Sequence, residues 1–210
     1  MELSSKKFAI FASGEGSNAI NLLNYFKNDE DIEFTCIITD RKDAGIIAKV
    51  KKINLPIHII EAPLGKDKGP KERKENHEKE ILKILEGYNI NWLCLAGYMR
   101  LLGPKILEHF WDPSLEQFRI LNIHPSLLPD YPGVNSYKRA FDDNVVRHGV
   151  TVHYVDKGMD TGDIIIQKSF IRDIKDSLDD FIKNGKIIEH EIYPMALKII
   201  CQQNRGDINE

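Results

Sequence analysis

The amino-acid sequence predicts an α/β fold: a mostly parallel, twisted sheet with helices on both faces and an antiparallel strand pair towards the C-terminal end. Three observations carry this prediction. Short apolar runs alternate with stretches whose apolar residues recur at helical spacing, the pattern of βαβ units. The first apolar run ends in a glycine-rich turn that opens a helix. Late in the chain two strand-like runs follow one another with only a loop between them, which favours antiparallel pairing.

The elements follow in order. Residues 8–13 are a short buried strand, closed by Gly14-Glu15-Gly16-Ser17-Asn18. The next helix carries Ala19, Ile20, Leu22, Leu23 and Phe26 on its apolar face. Residues 32–39 form a strand, 44–53 a helix and 57–60 a third strand. The charged run from Lys66 to Glu80 reads as the solvated start of a helix whose apolar face is Ile81, Leu82, Ile84 and Leu85. Residues 92–96 form a fourth strand, and 118–121 a buried strand end. Residues 148–154 and 163–170 are the consecutive strand pair, and a last helix runs from about Ser177 to about Gln203. No repeat, linker or low-complexity stretch interrupts the pattern. The expectation is one domain over 1–210, with an N-terminal half to about residue 100 and a C-terminal half from about 101.

Composition narrows the function classes. With 210 residues, 42% of them hydrophobic, the chain can bury a sizeable core. Its 29 basic and 32 acidic residues leave a net charge of −3, with no basic excess to suggest nucleic acid. A mean hydropathy of −0.34 and the lack of a long apolar run argue against a membrane protein. The N-terminal residues show no signal-peptide pattern, so a cytoplasmic location is expected. Cys36, Cys94 and Cys201 are odd in number and far apart; they read as small core residues.

Two stretches carry chemistry. The turn Gly14-Glu-Gly16-Ser-Asn-Ala19 matches G-x-G-x-x-A after a first strand, and Asp40 sits about where a ribose-binding acid is expected in a Rossmann-like dinucleotide site. The same turn also suits a simpler phosphate, held by helix N-terminal N–H groups and by the Ser17 and Asn18 side chains. A plain capping turn is the third reading, since Ser and Asn are strong caps. The second stretch is Asn122-Ile-His124-Pro-Ser-Leu-Leu-Pro129. If its start is extended, Asn122 and His124 point to one side. That places an amide donor beside a ring that titrates near neutral pH, stiffened by Pro125 and Pro129.

Taken with Leu95-Ala-Gly-Tyr-Met-Arg-Leu-Leu102, His148-Gly-Val-Thr-Val-His-Tyr154, Asp160-Thr-Gly-Asp-Ile-Ile-Ile-Gln167 and Glu189-His-Glu-Ile-Tyr-Pro194, these stretches stand in a familiar order. The chain resembles the phosphoribosylglycinamide formyltransferases, folate-dependent one-carbon transferases of purine synthesis, over essentially its whole length. The resemblance implies the formyltransferase fold, with a phosphate-binding N-terminal half and a folate and catalytic C-terminal half. It implies 10-formyltetrahydrofolate as co-substrate and glycinamide ribonucleotide as substrate. No metal, nucleic acid or membrane is expected, and the protein would be a monomer or homodimer. Asn122, His124 and Asp160 match the catalytic trio. Gly16, Ser17 and Asn18 would hold the substrate phosphate and Glu189 its ribose hydroxyls. Met99, Arg100, Leu101 and Leu102 would line the pterin site, with Asn122 and Asp156 also near folate. Lys74 falls where the family places a basic residue, with Arg73 one position away. The chain departs from the pattern at Asn135-Ser136-Tyr137, where some members have histidines, and no catalytic role is given to that segment.

The chemistry asks for these residue types. An amine attacks a formyl carbon, an oxyanion forms, the amine must lose a proton and the leaving nitrogen must gain one. Asn122 can donate to the oxyanion. His124 can carry the proton, with its pKa expected to be raised by Asp160 beside it. Each residue taken alone has a plainer reading: Asp160 as a turn former, Glu189 as a solvated helix residue, Met99 and Leu101 as core, and His148 and His153 as a turn and a strand residue. The competing function is an NAD-dependent oxidoreductase read from residues 14–19. A formyltransferase acting on another amino sugar or nucleotide is a further alternative, as is a non-catalytic sensor of a phosphorylated metabolite.

Overall fold

The computed structural model describes residues 5–61 and 69–206; residues 1–4, and the opening Lys66 to Lys68 of the charged run, lie outside the described residues. The chain forms two compact units, Met1–Leu121 and Asn122–Glu210. The division falls inside a strand.

The first unit contains β1 (Lys6–Phe11), α1 (Ser17–Tyr25), β2 (Ile32–Thr39), α2 (Ile46–Val50), β3 (Ile57–Ile59), α3 (Pro70–Gly87), β4 (Trp92–Leu95), α4 (Pro104–His109), the short pair β5 (Trp111–Asp112) and β6 (Gln117–Phe118), and the start of β7 (Ile120–His124). β1 is the centre. Phe8, Ala9, Ile10 and Phe11 are wholly buried, the continuous apolar run expected of a strand covered on both faces. It pairs in parallel with β2 on one side and β4 on the other, with Phe8 opposite both Phe34 and Trp92. β3 adds in parallel beyond β2, and β7 follows β4. Cys36 and Cys94 lie in this core, and burial pushes the Cys36 thiol up to about 11.

In the second unit, β7 is followed by α5 (Ser136–Asp142), β8 (Arg147–Tyr154), β9 (Ile164–Ile171) and α6 (Leu178–Gly206). β8 and β9 are antiparallel, with Thr151 opposite Gln167. α6 packs on β8, β9 and α5. Phe181 of α6 is wholly buried among Tyr137, Phe141, His148 and Phe170, with ring centroids 4.9–6.1 Å away. The α/β class, the mostly parallel sheet and the antiparallel C-terminal pair are therefore as the sequence predicts.

Some boundaries differ. The helix expected over 44–53 is helical only over Ile46–Val50, because Lys51, Lys52 and Ile53 bury too little to hold it and Asn54 takes a left-handed φ of 54°. α4, α5 and the β5–β6 pair have too few residues to show a periodicity. α4 begins at Pro104, and the buried Glu78 of α3 accepts its Lys105 N–H at 3.2 Å. That cap comes from a distant stretch of sequence.

Candidate active site

In the first unit the glycine-rich turn is built from backbone. Gly16 has φ 70°, a left-handed conformation that favours glycine. A Cβ there would lie 2.4 Å from Ile46 Cδ1, so a side chain is excluded sterically as well. Lys49 steadies the neighbouring residue by donating to the Glu15 carbonyl at 2.6 Å and to its carboxylate at 3.0 Å. α1 starts at Ser17, with Gly16 as its cap and no side chain closing the helix end. The capping role that Ser17 and Asn18 could have taken is not the one they adopt. They occupy the first helical turn, where the helix dipole favours an anion.

The same unit shows how the pterin-site candidates are held. The Ser13 hydroxyl donates to Asp40 Oδ1 at 2.6 Å and accepts the Met99 N–H at 3.0 Å, while the Ser13 N–H donates to the Gly97 carbonyl at 3.1 Å. Asp40, the acid that a dinucleotide would require, is engaged in pinning the segment after β4. Met99 is 70% exposed and Leu101 65% exposed. Side chains so exposed are not core, contrary to their plainest sequence reading. Arg100 is exposed and Leu102 half-buried; on α3, Lys74 is exposed and Arg73 half-buried.

In the second unit, Asn122 and His124 alternate along β7, and Asp160 comes from the β8–β9 loop with a left-handed φ of 56°. The Tyr131 carbonyl can only accept, so the His124 Nε2 contact to it at 2.9 Å assigns the proton to Nε2. Nδ1 then faces Asp160 Oδ2 at 3.3 Å. His153 is arranged likewise. Its Nδ1–H donates to the Tyr154 carbonyl at 2.7 Å, leaving Nε2 towards Asp160 Oδ1 at 3.6 Å and the Asn122 amide nitrogen at 3.2 Å. The Asn122 amide also donates to Asp160 Oδ1 at 3.3 Å, and the Gly133 N–H donates to Oδ2 at 2.7 Å. The structure thus brings the three predicted catalytic residues together and adds His153.

The proton affinities follow. Burial pushes the Asp160 carboxyl up, but the contact with His153, the Gly133 N–H and the two neighbouring imidazole rings outweigh it and hold Asp160 at about 2. His124 lies below the ordinary histidine range. Burial is the largest influence, and the Tyr131 carbonyl and Asp160 offset it only in part. Asp160 raises His124 as expected, but the net shift is downward where an upward one was expected: the ring is almost wholly enclosed, and removing its charged form from water costs more than one carboxylate returns.

Two other predicted residues have defined surroundings. Asp156 accepts from the Gly158 N–H at 2.9 Å and the Thr161 hydroxyl at 2.8 Å, so it shapes its own loop. Glu189, 7% exposed on α6, accepts the Tyr137 hydroxyl at 2.6 Å. The sequence reading gives neither His153 nor Tyr137 a functional role. The signal for His153 was its place one residue before a strand end leading into the Asp160 loop. Tyr137 gave no local signal. Among the described residues, no group of three or more His, Cys, Asp or Glu is placed to hold a metal ion, and no helix is long and apolar enough to cross a membrane.

Comparison with known proteins fits this geometry. Residues 6–197 match the formyl transferase family. A phosphoribosylglycinamide formyltransferase of Bacillus subtilis is 36% identical over 96% of this chain and 98% of its own length. That of Haemophilus influenzae is 31% identical over 92% of this chain and 86% of its own. The crystal structure of phosphoribosylglycinamide formyltransferase from Bacillus halodurans superposes with a TM-score of 0.82 at 37% identity, covering 93% of this chain and 95% of that one. With an Asn–His–Asp cluster on its β7 strand and β8–β9 loop, and this likeness along nearly its full length, the chain belongs to the formyl transferase family.

Proposed function

We propose that this protein transfers the formyl group of 10-formyltetrahydrofolate to the amine of 5'-phosphoribosylglycinamide, giving formylglycinamide ribonucleotide in de novo purine synthesis. The observation that carries this reading is the meeting of Asn122, His124 and Asp160 in a chain of this family.

The neutral amine attacks the formyl carbon, and its lone pair forms the new C–N bond as the carbonyl electrons move to oxygen. Asn122 donates an N–H to that oxyanion, an interaction worth roughly 3 kcal/mol in comparable sites. The 3.3 Å contact from Asn122 to Asp160 is its longest, and it is the one the oxyanion replaces. The attacking nitrogen now carries a surplus proton. His124 is held towards its neutral form, so it does not arrive charged; it takes this proton at Nδ1, against Asp160. The resulting imidazolium–carboxylate pair also stabilises the oxyanion. The proton passes to N10 of the folate as the C–N10 bond breaks. The products are the formamide and tetrahydrofolate, with no net proton gained or lost. Proton shuttling of this kind contributes about 10²–10⁴ in rate.

Gly16, Ser17 and Asn18 hold the substrate phosphate and Glu189 its ribose hydroxyls. Met99, Arg100, Leu101 and Leu102 line the pterin, with Asn122 and the loop of Asp156 and Asp160 beside it and Lys74 as the basic residue near the folate. The exposure of Met99 and Leu101 supports that assignment. The engagement of Asp40 by Ser13 speaks against the NAD-dependent alternative. The enzyme works in the cytoplasm, as monomer or homodimer, on small molecules alone. Mixing the protein with a 10-formyl folate and glycinamide ribonucleotide, and following the deformylated folate by absorbance, tests the proposal. A signal that does not depend on the ribonucleotide sinks it.

A further inference from the structure

The departure at Asn135-Ser136-Tyr137 acquires a meaning in the second unit. Asn135 takes a left-handed φ of 57° and caps α5, and Ser136 binds the Pro125 carbonyl at 2.7 Å. Tyr137 lies against α6. Gly185 sits inside that helix, where alanine would be the better helix former, yet a Cβ at this position would lie 2.2 Å from Tyr137 Oη and 2.4 Å from the ring edge. Only a glycine lets the phenol approach. Glu189 is four residues further on, one turn along the same face, and the hydroxyl reaches its Oε1 at 2.6 Å. The ring is flanked by Phe181 and His148 at 6.1 and 5.6 Å between centroids.

We propose that Tyr137, seated on Gly185 and hydrogen-bonded to Glu189, is a positioning residue that makes this part of the site select a sugar with free hydroxyl groups. The inference rests on the reading of Glu189 as the ribose contact and assigns the specificity of that contact to its neighbour. A carboxylate only accepts hydrogen bonds. A phenol that donates its single proton to the carboxylate keeps only lone pairs to offer. The pair therefore presents acceptors alone, and a ligand must answer with donors. A vicinal diol does so; a deoxy, O-methyl or phosphorylated sugar lacks one donor or more, and a phosphate adds negative charge. Tyr137 also fixes which way Glu189 turns, so a diol meets the carboxylate in one orientation. Burial, followed by the Glu189 charge and the hydrogen bond itself, pushes the phenol pKa upward, so the proton stays on Oη throughout the working range.

The test uses Tyr137→Phe, which keeps the ring on Gly185 and removes the hydroxyl. KM for glycinamide ribonucleotide should rise about tenfold, a loss expected for one hydrogen bond to a charged group. Turnover should stay within about twofold, and the KM for the formyl folate should not move. The preference for the ribonucleotide over its 2'-deoxy form should fall by about the same factor of ten. An unchanged preference overturns the proposal, even if KM rises. Glu189→Ala separates the two layers. If it keeps the full preference, the ribose reading of Glu189 is itself wrong. If it loses the preference while Tyr137→Phe retains it, the role of Tyr137 alone fails. Should Tyr137→Phe not fold, Gly185→Ala moves the phenol from the other side and must reduce the same preference, or the proposal falls.

Discussion

In the first unit the turn at residues 14–18 is shaped by backbone: a left-handed glycine, a side chain excluded by Ile46, and a helix start with no side-chain cap. In the second unit the cluster around Asp160 is made of side chains, with a histidine nitrogen facing each carboxylate oxygen and an amide beside them. Backbone N–H groups do not titrate, so the turn can hold an anion with the same strength over a wide pH range. The cluster is sensitive to every proton, and its members set one another's charge. The difference teaches where binding and chemistry separate. Damage to the turn should appear in affinity, damage to the cluster in turnover.

The largest effect should come from Asp160→Asn. It leaves His124 with only the Tyr131 carbonyl to offset burial, and turnover should fall by about 10²–10⁴. Calorimetric binding of ribonucleotide and folate should persist. Near-wild-type turnover would remove Asp160 from the mechanism. Gly16→Ala comes next. A left-handed alanine pressed on Ile46 carries about 1–3 kcal/mol of strain, so ribonucleotide affinity should drop by about 10- to 100-fold while turnover at saturation holds. A fall in turnover with affinity unchanged would reverse the contrast between the two regions.

Acid stability sharpens the contrast further. Asp160 sits at about 2 in the fold against 3.8 for the free group. Its folded value is the lower, so its contribution is complete above about pH 4 and is lost as pH falls towards about 2. The loss is roughly 1–2 kcal/mol once solvent screening is allowed for. His124, also depressed, adds a loss that begins as pH drops below 6.5. Denaturant titrations across this range should show the Asp160 step in the wild type and not in Asp160→Asn. Gly16→Ala should keep the step. The smallest effect belongs to Ser17→Ala, which should weaken ribonucleotide binding by a few-fold, about 1 kcal/mol or less, and leave folate binding alone.

The strongly periodic elements were legible in the sequence. β1 is an unbroken apolar run and α1 follows a glycine turn, so neither needed tertiary information. β7 was legible in part: the apolar run over 118–121 joins the end of β6 to the start of β7, and the common side of Asn122 and His124 followed only if the chain stayed extended to His124, as it does. Asp160 was reached only through resemblance, because a residue in a glycine-containing loop looks like a turn former until its partners are known. His153 was hidden by its alternation, which marks a strand residue without saying what lies at its tip. Tyr137 was hidden more deeply, since its partner glycine and carboxylate lie on another helix. The direction of the His124 shift was misjudged because a sequence shows a charged neighbour and not the degree of enclosure.

The Ser13 hydroxyl serves as a shared fastener. One oxygen ties the ends of β1 and β2 to the segment that starts at Met99. For inhibitor design this makes residues 97–99 a firm template. A ligand that needs them elsewhere must break the Met99 N–H contact to the Ser13 hydroxyl and the Ser13 N–H contact to the Gly97 carbonyl together, at a cost of about 1 kcal/mol or more for each. Compounds drawn to fit that edge as it stands should therefore gain over those that rely on reshaping it, and adaptability is better sought from the exposed side chains of Met99 and Leu101 than from the chain that carries them.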